Sequence, residues 1–249
     1  MLNFTCSMPT KIFFGKDSVK KVGKAAKKNG ASKILICHGS DRVKKSGLLD
    51  SVINELENFD ISFKIISGIE PNPRIESVRE GVKMTRAHSI DFILPIGGGS
   101  VLDCAKAIAA GHYCDSDPWD MFTGKEKIKK ALPLGTVLTL AATGSEMNGN
   151  AVVSNLDEKR KLGIHSSLVQ PVFSILDPVL TFSVPEWHTA SGIADIMVHV
   201  FEQYFSTVEG TYLQDRMCDA VLKTCINYAP AVLRDPENYE ARSNIMWAG

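Results

Sequence analysis

Short runs of β-branched and aliphatic residues alternate along the chain with longer stretches whose apolar positions recur at helical spacing. "KIFFG", "KILICHG", "SFKIISG" and "DFILPIGG" read as strands. Each is followed by a helical stretch: "SVKKVGKAAKKNG" ending at Gly30, "GLLDSVINELENF", "IESVREGVKMTRAH" and "SVLDCAKAIAAGHY". Strands of about four to eight residues followed by helices of about ten to fourteen define βαβ units and a mostly parallel sheet. "GTVLTL" and "AVVSN" read as further strands, after which the pattern changes. From about residue 186 the periodicity is helical, with no convincing strand. The expected fold class is α/β. A Rossmann-like, parallel-sheet nucleotide-binding domain over residues 1–185 hands over to an all-helical domain over 186–249. The prolines of "LDPVLTFSVPEW" suit a connector.

The composition narrows the class of partner. The 249 residues are 44% hydrophobic, enough for a sizeable core, and 28 Lys plus Arg balance 28 Asp plus Glu. No basic excess points to nucleic acid or an anionic membrane. The clusters "KKVGKAAKK" and "RVKK" read as solvated faces. No apolar run approaches the ~20 residues of a membrane span. The N-terminus lacks the charged start and long apolar segment of a signal peptide. Six scattered cysteines without a CxxC pair read as reduced thiols of a cytoplasmic protein.

Candidate chemistry begins at "DFILPIGGGSVLDCAKAIAA", a buried strand, three glycines and a helix. Glycines let a backbone come close to a ligand and adopt positive φ. The helix start offers free N–H groups and a positive dipole end, which suits phosphate. The loop is neither GxGxxG nor GxxxxGK[ST]. Ser100 and Asp103 also have the spacing of a capping box, but three adjacent glycines exceed what a cap requires. Ligands of such sheets gather at the carboxyl ends of strands. There the loop "TLAATGSEMNGN", rich in hydroxyls and small residues, could meet a nucleotide or simply turn the chain. "GIEPNPR" holds Asn72 between two prolines in a stiff turn.

"TASGIADIMVHVFEQYF" carries Asp195 and His199 in an otherwise apolar run, with Glu202 three residues on. A buried carboxylate beside a buried imidazole is costly unless the two are paired or hold a metal. Residues four apart share a helical face. The spacing therefore suits either two metal ligands or a hydrogen-bonded Asp–His pair, and two ligands do not complete a site.

The ordered set "MPTKIFFGKDS", "VKKSGLLD", "GGGSVLDCAK", "TLAATGSE", "QPVFSILDPV", "GIADIMVHVFEQY" and "ENYEARSNIMWA" resembles the iron-containing alcohol dehydrogenases. The similarity is greatest to the butanol-dehydrogenase-like branch, which includes NADPH-dependent aldehyde reductases. The resemblance covers essentially the whole chain. It implies a dehydroquinate synthase-like fold with the site in the cleft between the two domains. It also implies that Asp195 and His199 are the first two ligands of a divalent metal, iron or zinc. Gly98, Gly99 and Ser100 match the loop that receives the cofactor pyrophosphate. Asn72, Asp103, Thr139, Thr143 and Lys161 match positions lining the nicotinamide cofactor. The cofactor is NADP or NAD, and the choice turns on "CHGSDRVKKSG": Gly39 and Ser40 suit a 2′-phosphate and Asp41 opposes one, with the balance slightly toward NADP.

The implied activity is the interconversion of short-chain alcohols and aldehydes, with the metal as Lewis acid. No residue stands out as a general base. The expected partner is a small alcohol or aldehyde, and the expected assembly is a homodimer. The family's third and fourth metal ligands are histidines downstream of "ARSNIMWA", whereas the sequence ends at Gly249. The resemblance thus implies the N-terminal portion of a longer enzyme, a fragment or a truncated product, carrying half a metal site. Two alternatives remain: a polyol dehydrogenase of the same fold, and a non-catalytic nucleotide-binding module.

Overall fold

The computed structural model describes residues 2–249. β1 (Lys11–Phe14), β2 (Lys33–His38), β3 (Ser62–Ile66), β4 (Phe92–Gly97), β5 (Gly135–Leu138) and β8 (Phe173–Leu176) form one six-stranded sheet, in the order β1-β8-β5-β4-β2-β3. Every pairing in it is parallel. β6 (Asn150–Asn155) and β7 (Arg160–His165) form a separate antiparallel ribbon. The helices are α1 (Val22–Lys28), α2 (Arg42–Lys45), α3 (Leu48–Glu57), α4 (Ile75–Ala87), α5 (Gly99–Gly111), α6 (Trp119–Thr123), α7 (Glu186–Tyr204), α8 (Tyr212–Arg234) and α9 (Tyr239–Ala248).

The central strands are continuous apolar runs because helices cover both of their faces. All six residues of β4 are buried, and five of the six in β2. β3, at an edge, alternates exposed and more buried positions. Phe92 and Phe173 stack at 6.0 Å, and Gly135 lies against the Phe173 ring, where a Cβ would come within 2.2 Å of it. α5 is buried nearly all round. Its alanines, with Gly81 on α4, permit a close helix contact: a Cβ on Gly81 would fall 2.3 Å from Ile108.

Three elements depart from the sequence expectation. The single helix expected over "SVKKVGKAAKKNG" divides into a 3₁₀ turn, Ser18–Lys21, and α1. Ser18, Val19 and Val22 are buried there, and the spacing of the two valines suits the tighter winding. "AVVSN" pairs not with the main sheet but with β7, a strand in which only one residue is fully buried. β8 is four residues long and lies between prolines. The lysines of the two basic clusters are exposed, as their composition suggests. All six cysteines are free thiols. No helix among the described residues is long and apolar enough to cross a membrane.

The chain divides into two compact units. One comprises Pro9–Leu138 and Ser145–Asp177, and so contains the sheet and the ribbon. The other contains Pro178–Gly249 with the short segment Thr139–Gly144. Within it α7 packs on α8, and α8 on α9. Trp187, Phe205, Tyr212, Leu213 and Met217 on this unit are exposed.

Candidate functional site

α5 begins without a side-chain cap. Gly98 precedes it at φ −91°, ψ −173°, an extended conformation open to any residue. Gly97, Gly98 and Gly99 do not use the left-handed region. What the glycines supply here is therefore absence of bulk, since a Cβ on Gly97 would already press within 2.6 Å of Val101. The capping box suggested by Ser100 and Asp103 is not formed. Both side chains are engaged elsewhere because β6 and the Asn72 turn offer them better partners.

Ser100 Oγ accepts the backbone N–H of Asn72 at 3.2 Å. Asn72 sits at φ 54°, a left-handed conformation that asparagine tolerates better than most residues. Its side-chain Oδ1 accepts from Lys161 Nζ at 2.7 Å. A single asparagine thus links the first turn of α5 to a cationic side chain on β7. Three residues from distant parts of the sequence meet beside a free helix N-terminus, an arrangement suited to an anionic, phosphate-bearing ligand.

One turn further along α5, Asp103 is held by two donors. Oδ1 accepts from Ser145 Oγ at 2.7 Å, and Oδ2 from the Val152 N–H at 3.0 Å. Desolvation raises its pKa, against the pull of these bonds and of Lys106 and Lys161. Lys106 is fully buried. Its ammonium donates to Ser145 Oγ (2.8 Å), Asn148 Oδ1 (3.1 Å) and the Asn150 carbonyl (2.9 Å). Burial lowers its pKa to about 8, although Asp103 and Glu146 hold it up. Sequence reasoning singled out neither Lys106 nor Ser145. The available signal was a lysine inside "CAKAIAA", a run otherwise too apolar to carry one on a solvated face.

Gly39, Ser40 and Asp41 follow β2 in a turn whose backbone is tied to the next crossover by Gly68 N–H donating to Gly39 O. A Cβ on Gly39 would meet the Ile69 carbonyl at 2.9 Å. The Asp41 side chain is exposed and lies 3.7 Å from Lys44, too far for a close pair, so its carboxylate is available to a ligand. Behind it His38 is fully buried, and neither ring nitrogen has a hydrogen-bond partner. Burial lowers its pKa and favours the neutral imidazole. Thr139 and Thr143 belong to the other compact unit, the first half-buried and the second exposed.

Asp195 and His199 lie on α7, and the burial that their apolar run suggests is not found there. The two side chains on α7 are 43% and 51% exposed. Gly192, Ile193 and Ile196 turn inward, while Asp195, His199 and Glu202 share a wetter face. His199 Nε2 lies 3.7 Å from Asp195 and Nδ1 3.8 Å from Glu202, so the imidazole stands between two carboxylates without a close bond to either. Among the described residues no three His, Cys, Asp or Glu side chains converge on a metal-binding point. The donor chemistry of Asp195 and His199, one carboxylate and one imidazole on a single helical face, fits two ligands of iron or zinc.

Comparison with known proteins agrees along the chain. The family described as "Iron-containing alcohol dehydrogenase" matches residues 9–178, and "Fe-containing alcohol dehydrogenase family, C-terminal" matches 189–249. NADH-dependent butanol dehydrogenase A of Clostridium acetobutylicum is 48% identical over 248 residues, 100% of this chain and 64% of that protein. The NADPH-dependent aldehyde reductase YqhD of Escherichia coli is 43% identical over 251 residues, again 100% and 64%. The crystal structure of NADH-dependent butanol dehydrogenase A from Thermotoga maritima superposes with a TM-score of 0.96 at 38% identity, covering 99% of this chain and 62% of that one. The chain therefore spans about 64% of the length of these curated relatives. With both family descriptions matched in order, it belongs to the iron-containing alcohol dehydrogenase family.

Proposed function

We propose that the protein works as a metal-dependent oxidoreductase, interconverting short-chain alcohols and aldehydes by hydride transfer with NAD(P)(H). The observation that carries the reading is the Asn72 bridge, which joins Ser100 and Lys161 beside the glycine start of α5. In this reading Gly98, Gly99 and Ser100 receive the pyrophosphate, whose charge the helix start and the Lys161 ammonium balance. Asn72 fixes the direction from which Lys161 reaches. By the family resemblance, Asp103, Thr139 and Thr143 are each further positions lining the cofactor. Asp41 offers its exposed carboxylate to the ribose 2′-hydroxyl and disfavours a 2′-phosphate.

Asp195 and His199 would hold the divalent metal, with the ligand set completed by groups outside these residues. Bound there, metal and cofactor would supply Lewis-acid polarisation of the substrate oxygen and a hydride-carrying carbon. The relatives' names support the substrate class: butanol dehydrogenases at 48–50% identity and an aldehyde reductase at 43%.

Cofactor titration tests the reading. NADH and NADPH should each quench or shift the intrinsic fluorescence of the 249-residue chain. Gly98→Val, folded by circular dichroism, should bind both about tenfold or more weakly, because a side chain then occupies the approach to the helix start. In the same titration Asp41→Gly should favour NADPH relative to NADH. Unchanged affinities in folded Gly98→Val remove the loop from the site. Binding without butanal reduction, in a protein extended through the relatives' remaining length, would favour the non-catalytic alternative.

A further inference from the structure

The ribbon β6–β7 is not a member of the main sheet, yet it carries Lys161. Among the described residues one backbone bridge, Arg74 with Ser154, joins it to the neighbouring turn, supported by the Ser154 N–H donating to Pro73 O. Apolar contact through Ala151, Val153 and Ile164 holds the ribbon against the core. Such contact is not directional and does not by itself fix register. Direction comes from α5. Asp103 accepts the Val152 N–H, and Lys106 donates to the Asn150 carbonyl, two points on the first half of β6.

The Lys106 ammonium has three protons and three acceptors: Ser145 Oγ, Asn148 Oδ1 and Asn150 O. Its donors are therefore fully used within the protein, and none is left for a ligand. Ser145 closes the circuit by donating to Asp103, on the same helix as Lys106. The segment that follows is fastened at two further carbonyls, Glu146 O by Ser174 and Met147 O by Gln170. Across the ribbon, Ser154 of β6 stands opposite Lys161 of β7, so the register of β6 on α5 sets where Lys161 projects. Lys161 then reaches Asn72, and Asn72 reaches Ser100 at the start of the same α5.

We infer that Lys106 is a positioning residue of the cofactor site: with Asp103 and Ser145 it fixes the ribbon on α5, and through the ribbon it fixes Lys161 against Asn72 and Ser100. The cofactor clause rests on the function proposed above; the placement of the ribbon does not. A buried lysine that only stabilised the fold would affect cofactor binding independently of Lys161. One that acts through Lys161 has no further effect once Lys161 is gone.

The test is a double-mutant cycle on the 249-residue chain with Lys106→Met, Lys161→Ala and the pair together. NADH and NADPH affinities are read by fluorescence, and amide exchange is followed across residues 150–165. Lys106→Met should weaken both cofactors about tenfold although Lys106 touches neither. The double variant should be no weaker than Lys161→Ala alone. Exchange protection of the ribbon should fall in Lys106→Met while that of β2 and β4 holds. Ser145→Ala, which breaks the Lys106–Asp103 circuit and keeps both charges, should move affinity and ribbon protection the same way to a smaller degree. It carries the test if Lys106→Met does not fold. Additive losses in the cycle, or a ribbon as protected as in wild type, overturn the inference. Wild type that binds neither cofactor rejects the proposed function instead, and ribbon protection alone then decides for or against Lys106.

Discussion

On α5, Asp103 and Lys106 stand three residues apart among Ala, Cys and Ile, and every proton of the ammonium has an acceptor. On α7, Asp195 and His199 stand four apart among Ile, Met and Val, about half exposed and 3.7 Å from one another. Both helices show charged groups at a same-face spacing in an apolar run. In α5 the surrounding elements close over the group, so each polar atom had to find a partner within the protein. In α7 the two polar residues share the wetter face, so water satisfies them and no strong pair is needed. A buried, saturated network has its valences spent and acts on structure. An exposed pair with unspent lone pairs keeps them for a ligand.

The largest expected effect breaks or upholds that contrast directly. Asp103→Ala leaves the buried Lys106 ammonium short of a counter-charge and should cost about 3 kcal/mol in denaturant unfolding. Asp195→Ala, measured in metal-free protein, should cost less than about 1 kcal/mol. Equal losses at the two aspartates would erase the distinction.

A somewhat smaller effect sharpens it through pH. The folded-state pKa of Lys106 is lowered to about 8 from 10.5. Between these values the unfolded chain binds more protons than the folded one, so this group's contribution to stability rises with pH. Wild type should therefore gain on Lys106→Met by on the order of 2–3 kcal/mol from pH 8 to pH 10.5. Comparing the two proteins cancels the buried thiols Cys104 and Cys114, both pushed up to about 12, which act in the opposite sense. A difference in unfolding free energy that stays flat across this window contradicts the assignment.

The smallest effect concerns packing. A Cβ on Gly192 of α7 would lie 2.7 Å from the Ala141 carbonyl, a backbone atom that cannot swing away. A Cβ on Gly81 of α4, beside α5, would meet the Ile108 side chain, which can give way by local repacking more readily than a backbone atom can. Despite alanine's better helix propensity, Gly192→Ala should lose about 2 kcal/mol and Gly81→Ala about 1 kcal/mol. Thermal melts that reverse this order would show that the core around α5 is the less forgiving of the two.

Much of the α/β framework was legible because β2 and β4 are uninterrupted apolar runs followed by periodic helices, a pattern that chain-local physics enforces. β7 and β8 were not. "RKLGIH" buries little of its own surface and owes its strand to β6, while "FSIL" owes its strand to β1 and β5. Pairing partners across the sequence do not show in a local pattern. Within the site, the glycine loop was visible as chemistry, but the roles of Asn72, Asp103 and Lys161 came only through family resemblance. Their meeting is a tertiary fact. Lys106 escaped notice because one lysine in an alanine-rich helix is ordinary until its neighbours are known. The burial expected for Asp195 and His199 came from treating the run as one environment. Its helical period in fact separates positions 192, 193 and 196 from 195, 199 and 202.

The strand order has a consequence for how the molecule is made. β8 lies between β1 and β5, and among the described residues β1 has no other strand partner. During synthesis from the N-terminus, β2, β3, β4 and β5 can assemble in turn as their residues emerge. Lys11–Phe14 must wait until Phe173–Leu176 has been translated. Until then β5 presents an open edge, and the first strand made is the last to be seated. The sheet is thus locked by its final strand, so an interruption of translation before residue 173 yields a nascent chain with an unfilled slot beside β5 and an unpaired leading strand.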